Sequence, residues 1–350
     1  MKTKQRTALR ALASALIVVV SLSLLQRLLM PKYVDGIVEG AFVAEYYKEV
    51  KDHDVIFVGD CEVYENFSPA VLWQDFGINS YIRGSGEQYI FQSYYLLEDA
   101  LRYEKPDVAV FNIQSLQFSE AQREAYNRMS LEGMRWSPTK VKAIFASMRE
   151  EEHFLDYLFP ILRYHSRWSQ LEPTDVEYLF KTKPVSFNGY YMRVDVRPAE
   201  NVPKGRPLAD YSFGEKAWKY LDMMADLCEK EGVQLVLIKA PSLYPYWYPQ
   251  WEEQVEQYAE ERGLPYLNFL ELQEETGIDY TTDTYDAGLH MNLSGAEKLS
   301  RWLGAWLMEN TSLTDRRGEP ELSARWEEKL AAYEAEKQRQ YEFYGIETGN

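Results

Sequence analysis

The sequence predicts an α/β fold organised around an open, parallel, doubly wound sheet of five strands. Short apolar runs alternate with amphipathic helical patterns over most of the chain, which is the order expected of strand–helix–strand units. The first of these runs, 54–59, is apolar on both faces, as parallel strands buried between helices are. Hydrophobic residues make up 46% of the 350 residues and charged residues 27%, so the chain can bury a sizeable core and is not disordered as a whole.

The elements can be placed in order along the chain. A helical stalk is predicted over Val38–Lys51. Ser68 and Pro69 then suit the N-cap and first residue of a short helix that ends at Gly77, and helical spacing resumes over Ile90–Leu101. Strands are predicted at 54–59, 78–82, 106–112, 233–239 and 265–269. Because ligands of such sheets bind at the carboxyl ends of the strands, we expect the functional site at that edge.

About one hundred residues interrupt the alternation and are predicted to form an inserted, mostly helical cap or side subdomain. Within this insertion, 119–183 has helical patterning and 187–196 looks extended. Its aromatic residues, among them Trp136, Trp168 and Tyr190, either line a polysaccharide-binding cleft or pack as the core of the insertion.

The C-terminal region is predicted to hold one core helix and one charged helix. The core helix is predicted to begin at Ser294, with Glu297 completing a capping box, and to present Leu299 and Leu303 to the core. The charged helix, Glu319–Tyr344, is predicted to be solvated. The predicted division of the chain is a cytoplasmic stub and transmembrane anchor (1–31), an α/β domain (32–112 and 213–310), the helical insertion (113–212) and a charged helical tail (311–350).

The N-terminus has the charge order of a signal sequence. Residues 1–30 contain five of the 38 Lys and Arg residues and none of the 55 Asp and Glu residues, and 11–25 carries no charge. With Arg27 snorkelling outward, 8–30 supplies the roughly 20 residues that a membrane helix needs. No small-x-small cleavage site follows, so we predict an uncleaved, single-pass anchor with a cytoplasmic N-terminus and an extracytoplasmic C-terminal domain. A cleaved signal peptide and a buried core helix are the alternatives.

Charge and cysteine content exclude several classes of partner. The formal net charge of −17 leaves no basic surplus for a phosphate backbone, so we expect no nucleic-acid binding. Two cysteines cannot build a disulfide framework, and no CxxC or Cys/His cluster indicates zinc. We therefore predict neither a metal nor a cofactor.

Three polar clusters follow strands or precede the last core helix. They are 59–62 (Gly-Asp-Cys-Glu), 83–86 (Arg-Gly-Ser-Gly) and 286–292 (Asp-Ala-Gly-Leu-His-Met-Asn). A nucleophile after the first strand and a histidine before the last helix would lie at the same edge of the sheet, as the catalytic residues of a hydrolase must. A neutral imidazole can take the proton of the nucleophile, and a carboxylate can hold the imidazole in the required tautomer.

Two of these clusters resemble motifs of the SGNH (GDSL-like) hydrolase superfamily. After the first strand the chain reads Val-Gly-Asp-Cys-Glu-Val-Tyr over 58–64, where the family has Val-Gly-(Asp/Ser)-Ser-x-Val-Tyr. From position 290 it reads His-Met-Asn-Leu-Ser-Gly, where the family has His-x-Asn-x-x-Gly. The chain is most similar to the membrane-anchored bacterial branch associated with cell-surface acyl groups. The resemblance implies a flavodoxin-like, three-layer α/β/α fold and an ester-cleaving or acyl-transferring site.

The resemblance also implies roles for individual residues. Cys61 stands where the family has its serine nucleophile, and His290 stands at the base. The family aspartate three residues before the histidine falls at Ala287, so Asp286, one residue further back, is the candidate orienter of the imidazole. Asn292 is expected to organise the loop. The alternatives are that Cys61 is a small residue in a retired site and that Asp286 and His290 are ordinary surface residues.

The oxyanion hole is less complete in the sequence. The resemblance implies backbone N–H groups of Cys61 and Gly84 as donors, although Gly84 also suits a tight turn. The family block Gly-x-Asn-Asp is missing after the third strand, so the side chains of Asn112 and Gln114 are the candidate donors. Asp60, beside the nucleophile position, is expected to help organise the site.

Two functions follow from these predictions. The first is an extracytoplasmic acyl-ester hydrolase or O-acyltransferase that acts on cell-surface glycan or its acyl ester, with a multi-span membrane acyltransferase as a partner implied by resemblance only. The second is a non-catalytic protein for glycan binding or cell-envelope assembly that kept the fold and lost the serine. A Cys61–Cys228 disulfide would exclude the nucleophile, but Cys228 falls on the apolar face of a predicted helix, so we expect no such bond.

Overall fold

A computed structural model describes residues 2–31, 40–180 and 184–346. Within these ranges the chain forms one five-stranded sheet in which all pairs are parallel and the strand order is β2-β1-β3-β4-β5. The strands are β1 (Val55–Gly59), β2 (Ser80–Gly84), β3 (Val108–Asn112), β4 (Gln234–Lys239) and β5 (Tyr266–Asn268). The predicted doubly wound parallel sheet is confirmed, and all five predicted strands lie at or within two residues of their expected positions.

The helices alternate with the strands and also fill the insertion. They are α1 (Lys2–Leu29), α2 (Gly40–Glu45), α3 (Cys61–Tyr64), α4 (Pro69–Phe76), α5 (Ile90–Ala100), α6 (Glu124–Glu132), α7 (Pro138–Ser147), α8 (Phe154–Leu158), α9 (Ile161–Tyr164), α10 (Pro173–Phe180), α11 (Glu215–Glu231), α12 (Pro249–Arg262), α13 (Gln273–Thr276), α14 (Leu293–Asn310) and α15 (Pro320–Tyr344). Short 3-10 turns cover Tyr46–Lys48, Ile113–Gln117 and His165–Gln170. Helix α4 has the predicted Ser68 N-cap and ends at Gly77, whose left-handed φ of 69° suits glycine.

Helices cover both faces of the sheet, as the predicted fold requires. Ile56 and Val58 of β1 point into one core, which is closed by α5, α11 and α12. Val55 and Phe57 point into the other core, which is closed by α4 and α14. Alternate residues of one strand therefore pack against opposite helical layers, and this is why the strand has no polar face.

The C-terminal helix is not solvated, so that prediction was wrong. Helix α15 buries Leu322, Trp326 and Tyr333 against the second core. The Trp326 indole stacks on Trp73 with ring centroids 5.4 Å apart, and its N–H donates to the Asn79 side chain at 3.0 Å. These three apolar positions share one face of the helix, but the dense charge on the other faces hides the stripe in the sequence.

The last core helix begins at Leu293, one residue earlier than predicted, and has a different N-cap. Asn292, not Ser294, is the N-cap of α14, because its backbone is extended and its side-chain oxygen accepts the N–H of Gly295 at 3.2 Å. Ser294 therefore lies inside the first turn, and no capping box forms at that position.

Two further segments, 187–196 and the described part of the predicted stalk, contribute residues to the second core. The extended segment 187–196 joins no sheet; it forms a bridge between Phe187 and Tyr190 and buries Tyr190, Met192 and Val194 against the second core. The predicted stalk begins outside the described residues, and its described part, from 40 onward, buries Phe42 completely. That part is packed into the body of the protein and is not a stalk.

The insertion shares its core with the sheet. Leu131 of α6 and Ile144 of α7 belong to the same buried cluster as β1 and β3. Its aromatic residues divide between the two interpretations, because Tyr190 is buried whereas Trp136 and Trp168 are exposed. The division of the chain into separate domains stays a prediction.

Helix α1 is long and apolar enough to be a membrane anchor or a signal sequence. Its stretch Lys4–Leu29 has a mean hydropathy of 2.2 over the most apolar 18 residues, and none of that window is buried by the rest of the described chain. A core helix of this composition would be buried, so the core alternative is not supported.

Candidate active site

The first strand places Cys61 at the edge of the sheet through a sharp turn. A side chain at Gly59 would put a Cβ atom 2.4 Å from the Val63 side chain, so only glycine allows the chain to turn this closely. Asp60 then caps the four-residue helix α3, because its side chain accepts the N–H of Glu62 at 3.2 Å. Cys61 thus sits in the first turn of α3, directly after β1.

His290 is held by Asp286 at the opposite side of the site. The Asp286 carboxylate lies 2.6 Å from His290 Nδ1, and its other oxygen accepts the backbone N–H of His290 at 2.8 Å. Ala287 adopts a left-handed φ of 68°, a conformation that costs a non-glycine residue roughly 1–2 kcal/mol. The loop geometry therefore brings Asp286, and not the residue at 287, to the imidazole.

The free nitrogen of His290 faces the thiol. Nε2 is buried and has no hydrogen-bond partner in the described parts of the chain. The Cys61 thiol and the imidazole are close enough to shift each other's pKa through charge and through a side-chain hydrogen bond, although that bond is too loose to count as a partner of Nε2 by strict geometry. The Tyr285 ring stacks beside the imidazole with centroids 6.0 Å apart and an angle of 16°. The structure thus brings Cys61, His290 and Asp286 together.

Two carboxylates flank the imidazole. In addition to Asp286, Glu65 has an oxygen 3.9 Å from His290 Nδ1 and accepts a hydrogen bond from the Tyr285 hydroxyl. Sequence reasoning did not find Glu65 or Tyr285. Glu65 directly follows α3 and lies one helical turn beyond Cys61, so the sequence could have indicated that these two side chains are neighbours, but not that Glu65 approaches His290.

Burial and these charges shift both protonation equilibria. Burial raises the pKa of the Cys61 thiol to about 12, although His290 opposes the shift. Burial alone would lower the pKa of His290, but Glu65, Cys61 and the hydrogen bond to Asp286 outweigh it and raise that pKa well above its usual value. At neutral pH the resting pair is therefore a thiol beside an imidazolium.

A buried polar network lies behind Cys61. The Lys239 ammonium contacts the Glu62 carboxylate at 3.1 Å, and both side chains are almost completely buried. Asn112 donates to Asp60 at 3.2 Å and to Glu62 at 3.0 Å. Burial and the neighbouring Glu62 raise the pKa of Asp60 to about 7. These contacts fix the position of the turn after β1, which carries Cys61.

The candidate oxyanion donors differ in whether their N–H groups are already used in other hydrogen bonds. Both N–H groups of the Asn112 amide are used within the network, so they are not available to a ligand. Gly84 ends β2 opposite Gly59, and a Cβ there would lie 3.0 Å from Tyr64. Gln114, in contrast, is buried, and neither polar atom of its side chain has a partner within the described residues.

A cavity of about 570 Å³ opens in front of Cys61. Its lining combines the turn that carries Cys61, the segments that follow β2, β3 and β4, and the loop that carries His290. The lining residues are Asp60, Cys61, Glu62, Glu87, Gln88, Tyr89, Gln114, Ser115, Gln117, Phe118, Gln122, Arg123, Pro245 and Leu289. Gln114 therefore borders the same cavity as Cys61, while Asn112 and Gly84 do not belong to this lining.

Asn292 organises the histidine loop. Besides capping α14, its side-chain N–H groups donate to the carbonyls of Thr282 at 2.8 Å and Asp195 at 3.2 Å. Three segments are thereby joined at one amide directly after His290.

Replacing Asn292 with Ala is expected to lower the free energy of unfolding by about 1–2 kcal/mol, because the N-cap bond and two loop bonds are lost together. Denaturant unfolding of the full-length chain in detergent measures this loss. Asn310→Ala, which removes an exposed bond at the other end of α14, is the matched control. Equal stability of the two variants would contradict the organising role.

The two cysteines do not form a disulfide. Cys61 and Cys228 are both free thiols, and Cys228 is buried on α11. No group of three or more His, Cys, Asp or Glu side chains suited to a metal ion occurs among the residues that the structure describes.

Comparisons with known proteins give structural similarities only. No protein-family model matches the chain, and no curated protein is significantly similar to it in sequence. Among solved structures, it is similar to a protein described as an acylhydrolase from Bacteroides fragilis, with 11% identity and a TM-score of 0.37 over 76% of this chain and 94% of that one. It is also similar to a GDSL-like lipase from Bacteroides thetaiotaomicron, with 11% identity and a TM-score of 0.36 over 77% of this chain and 99% of that one.

Proposed function

We propose that the protein is an extracytoplasmic acyl-ester hydrolase or O-acyltransferase that acts on cell-surface glycan with Cys61 as its nucleophile. One observation carries the proposal: the unpartnered Nε2 of His290 faces the Cys61 thiol while Asp286 holds the opposite nitrogen at 2.6 Å. This is the order of nucleophile, base and orienting carboxylate on which acyl transfer depends.

The reactive form has lost one proton to solvent, so that His290 is a neutral imidazole. In the first half of the reaction, the Cys61 sulfur attacks the acyl carbonyl carbon and its proton moves to His290 Nε2. The carbonyl oxygen becomes an oxyanion, for which the Gln114 amide and the backbone N–H of Cys61 are the proposed donors. The C–O bond of the ester then breaks, and the leaving alkoxide takes the proton from His290. The acyl group remains on Cys61 as a thioester.

In the second half, an acceptor hydroxyl attacks the thioester and gives its proton to His290. The acceptor is water in a hydrolase and a sugar hydroxyl in a transferase. The tetrahedral intermediate collapses, the C–S bond breaks, and the sulfur recovers the proton from His290. The cavity of about 570 Å³ is large enough for a sugar residue beside the acyl group.

A non-catalytic role in glycan binding is the second candidate. The observation that favours it is the buried thiol, whose pKa of about 12 leaves almost no thiolate at neutral pH. In that case the cavity would bind a glycan, and Cys61 would be an inert small residue.

Turnover of p-nitrophenyl acetate distinguishes the two roles. The full-length chain in detergent is expected to release p-nitrophenol, and Cys61→Ala should reduce this rate to background. Cys228→Ala is the matched control, because it removes the other cysteine far from the motif and should retain activity. Adding a neutral oligosaccharide and measuring acetylated sugar by mass spectrometry separates transfer from hydrolysis. Equal rates in Cys61→Ala and wild type would refute the enzyme.

The raised pKa values predict that Cys61 reacts faster as the pH rises. Since both the thiol and the imidazole are protonated at neutral pH, alkylation by iodoacetamide should increase about tenfold per pH unit while one proton must first be lost. The rate is read from the mass of the Cys61 peptide. A constant rate between about pH 6 and 9 would instead indicate a preformed thiolate–imidazolium pair and contradict this protonation state.

A further inference from the structure

The helical insertion carries an unusual set of exposed apolar side chains. Leu162 of α9, Trp168 of the following 3-10 turn and Phe180 at the end of α10 are 51%, 73% and 84% exposed. The three elements that carry them are consecutive and are called the insertion foot below: α9 (Ile161–Tyr164), the turn His165–Gln170, and α10 (Pro173–Phe180). Side chains of this size rarely stand exposed together without a partner.

All three elements of the insertion foot pack against helix α1. Arg167 donates to the backbone carbonyl of Leu29 at 2.7 Å, and Leu29 is only 3% exposed. Leu22 and Gln26, which share that face of α1, are half-buried. The foot therefore contacts the last two turns of α1, whereas residues 4–21 are exposed.

The length of α1 fixes the level of this contact. The basic residues Lys4, Arg6 and Arg10 lie in the first turns of α1, and the rest of the helix, from residue 11 to Leu29, is about 28 Å long at 1.5 Å per residue. The hydrocarbon core of a bilayer is about 30 Å thick. If these basic residues remain at the inner surface, then the last two turns of α1 cross the outer leaflet and end near its headgroup layer. The insertion foot lies at the same level.

We propose that the insertion foot is a second membrane contact, whose apolar side chains insert into the outer leaflet beside α1. Trp168 and Phe180 have the amphipathic or apolar rings that settle at the boundary between headgroups and acyl chains. The elements that carry these side chains pack against α1. Whatever covers the side chains must therefore also surround the end of α1, and a lipid bilayer does both.

This contact would fix the orientation of the protein on the membrane. A single membrane helix leaves the rest of a chain free to rotate relative to the bilayer, whereas two contacts hold it in one orientation. The proposal rests on α1 being retained as an anchor, which is part of the proposed function, but it does not depend on the chemistry of Cys61.

Quenching by brominated lipid tests the proposal. The full-length chain is reconstituted into phosphatidylcholine liposomes with or without bromine on the acyl chains, and tryptophan fluorescence is compared. Trp168→Phe is expected to remove most of the quenched intensity. Trp136→Phe is the matched control, because Trp136 is also exposed in the insertion but lies outside the foot, between α6 and α7. This variant should retain the quenching of wild type.

Each outcome decides one part of the account. Quenching that survives Trp168→Phe, or that Trp136→Phe removes equally, overturns the proposed contact. Flotation of the same liposomes reports whether α1 is inserted, and a chain that does not float overturns the proposal as well. Release of p-nitrophenol by the same samples reports the proposed enzyme separately, so failure of the membrane contact and failure of the chemistry are distinguished.

Discussion

Replacing Asp286 with Asn is expected to slow acylation of Cys61 by roughly a thousandfold or more, as loss of the orienting carboxylate does in triads of this kind. In the neutral, reactive form of His290 the carboxylate accepts the Nδ1 hydrogen at 2.6 Å, which leaves the lone pair of Nε2 free to take the thiol proton. An amide at this position can donate to Nδ1 instead, which favours the opposite tautomer and places a hydrogen on Nε2. The imidazole then cannot accept the thiol proton.

The rate is measured from the time course of acetyl-enzyme formation with p-nitrophenyl acetate. Asp279→Asn is the matched control, because Asp279 lies in an exposed turn before the same loop and bonds mainly to its neighbours. It should acylate like wild type. If Asp286→Asn also acylates like wild type, then Asp286 does not orient His290 during the reaction.

The second large effect is expected on stability, at the buried ion pair behind the nucleophile. Lys239→Ala should reduce the free energy of unfolding by about 3–5 kcal/mol, because it leaves the Glu62 carboxylate buried without its cation. It also removes the hydrogen bond from the Lys239 ammonium to the Ala240 carbonyl. Denaturant unfolding of the full-length chain in detergent measures the change.

A double variant provides the control for this prediction. Lys239→Met combined with Glu62→Gln removes both charges while keeping side chains of similar size. It should be more stable than Lys239→Ala, since no unpaired charge remains. A double variant that is less stable than the single variant would show that the ion pair is not what makes Lys239→Ala costly.

Much of the fold could be predicted because it is encoded locally. The strands are short apolar runs, and Ser68, Pro69 and Gly77 mark the ends of α4 with residues that suit only those positions. Helix α15 shows the opposite case. Its contact with the core depends on Trp326 meeting Trp73, which is far away in the sequence, and the surrounding charge indicates solvent.

The same distinction applies to the candidate site. Asp286 and His290 lie four residues apart in one loop, so their pairing could be predicted from the sequence. The contact of Lys239 with Glu62 joins positions 177 residues apart, and that of Tyr285 with Glu65 joins positions 220 apart. Only the folded sheet brings such residues together. The sequence did show that Glu62 follows β1 and that Lys239 ends β4, and side chains at the carboxyl ends of parallel strands lie at the same edge of the sheet.

The central claim is that Cys61 accepts an acyl group with the help of His290. Its most direct measurement is the intact mass of the full-length chain after a short incubation with p-nitrophenyl acetate, followed by location of the adduct in peptides. The account predicts a single acetyl group on Cys61 in wild type and in Cys228→Ala, slower formation in His290→Ala, and no adduct in Cys61→Ala. An unmodified wild-type chain, or an adduct that persists in Cys61→Ala, would contradict it.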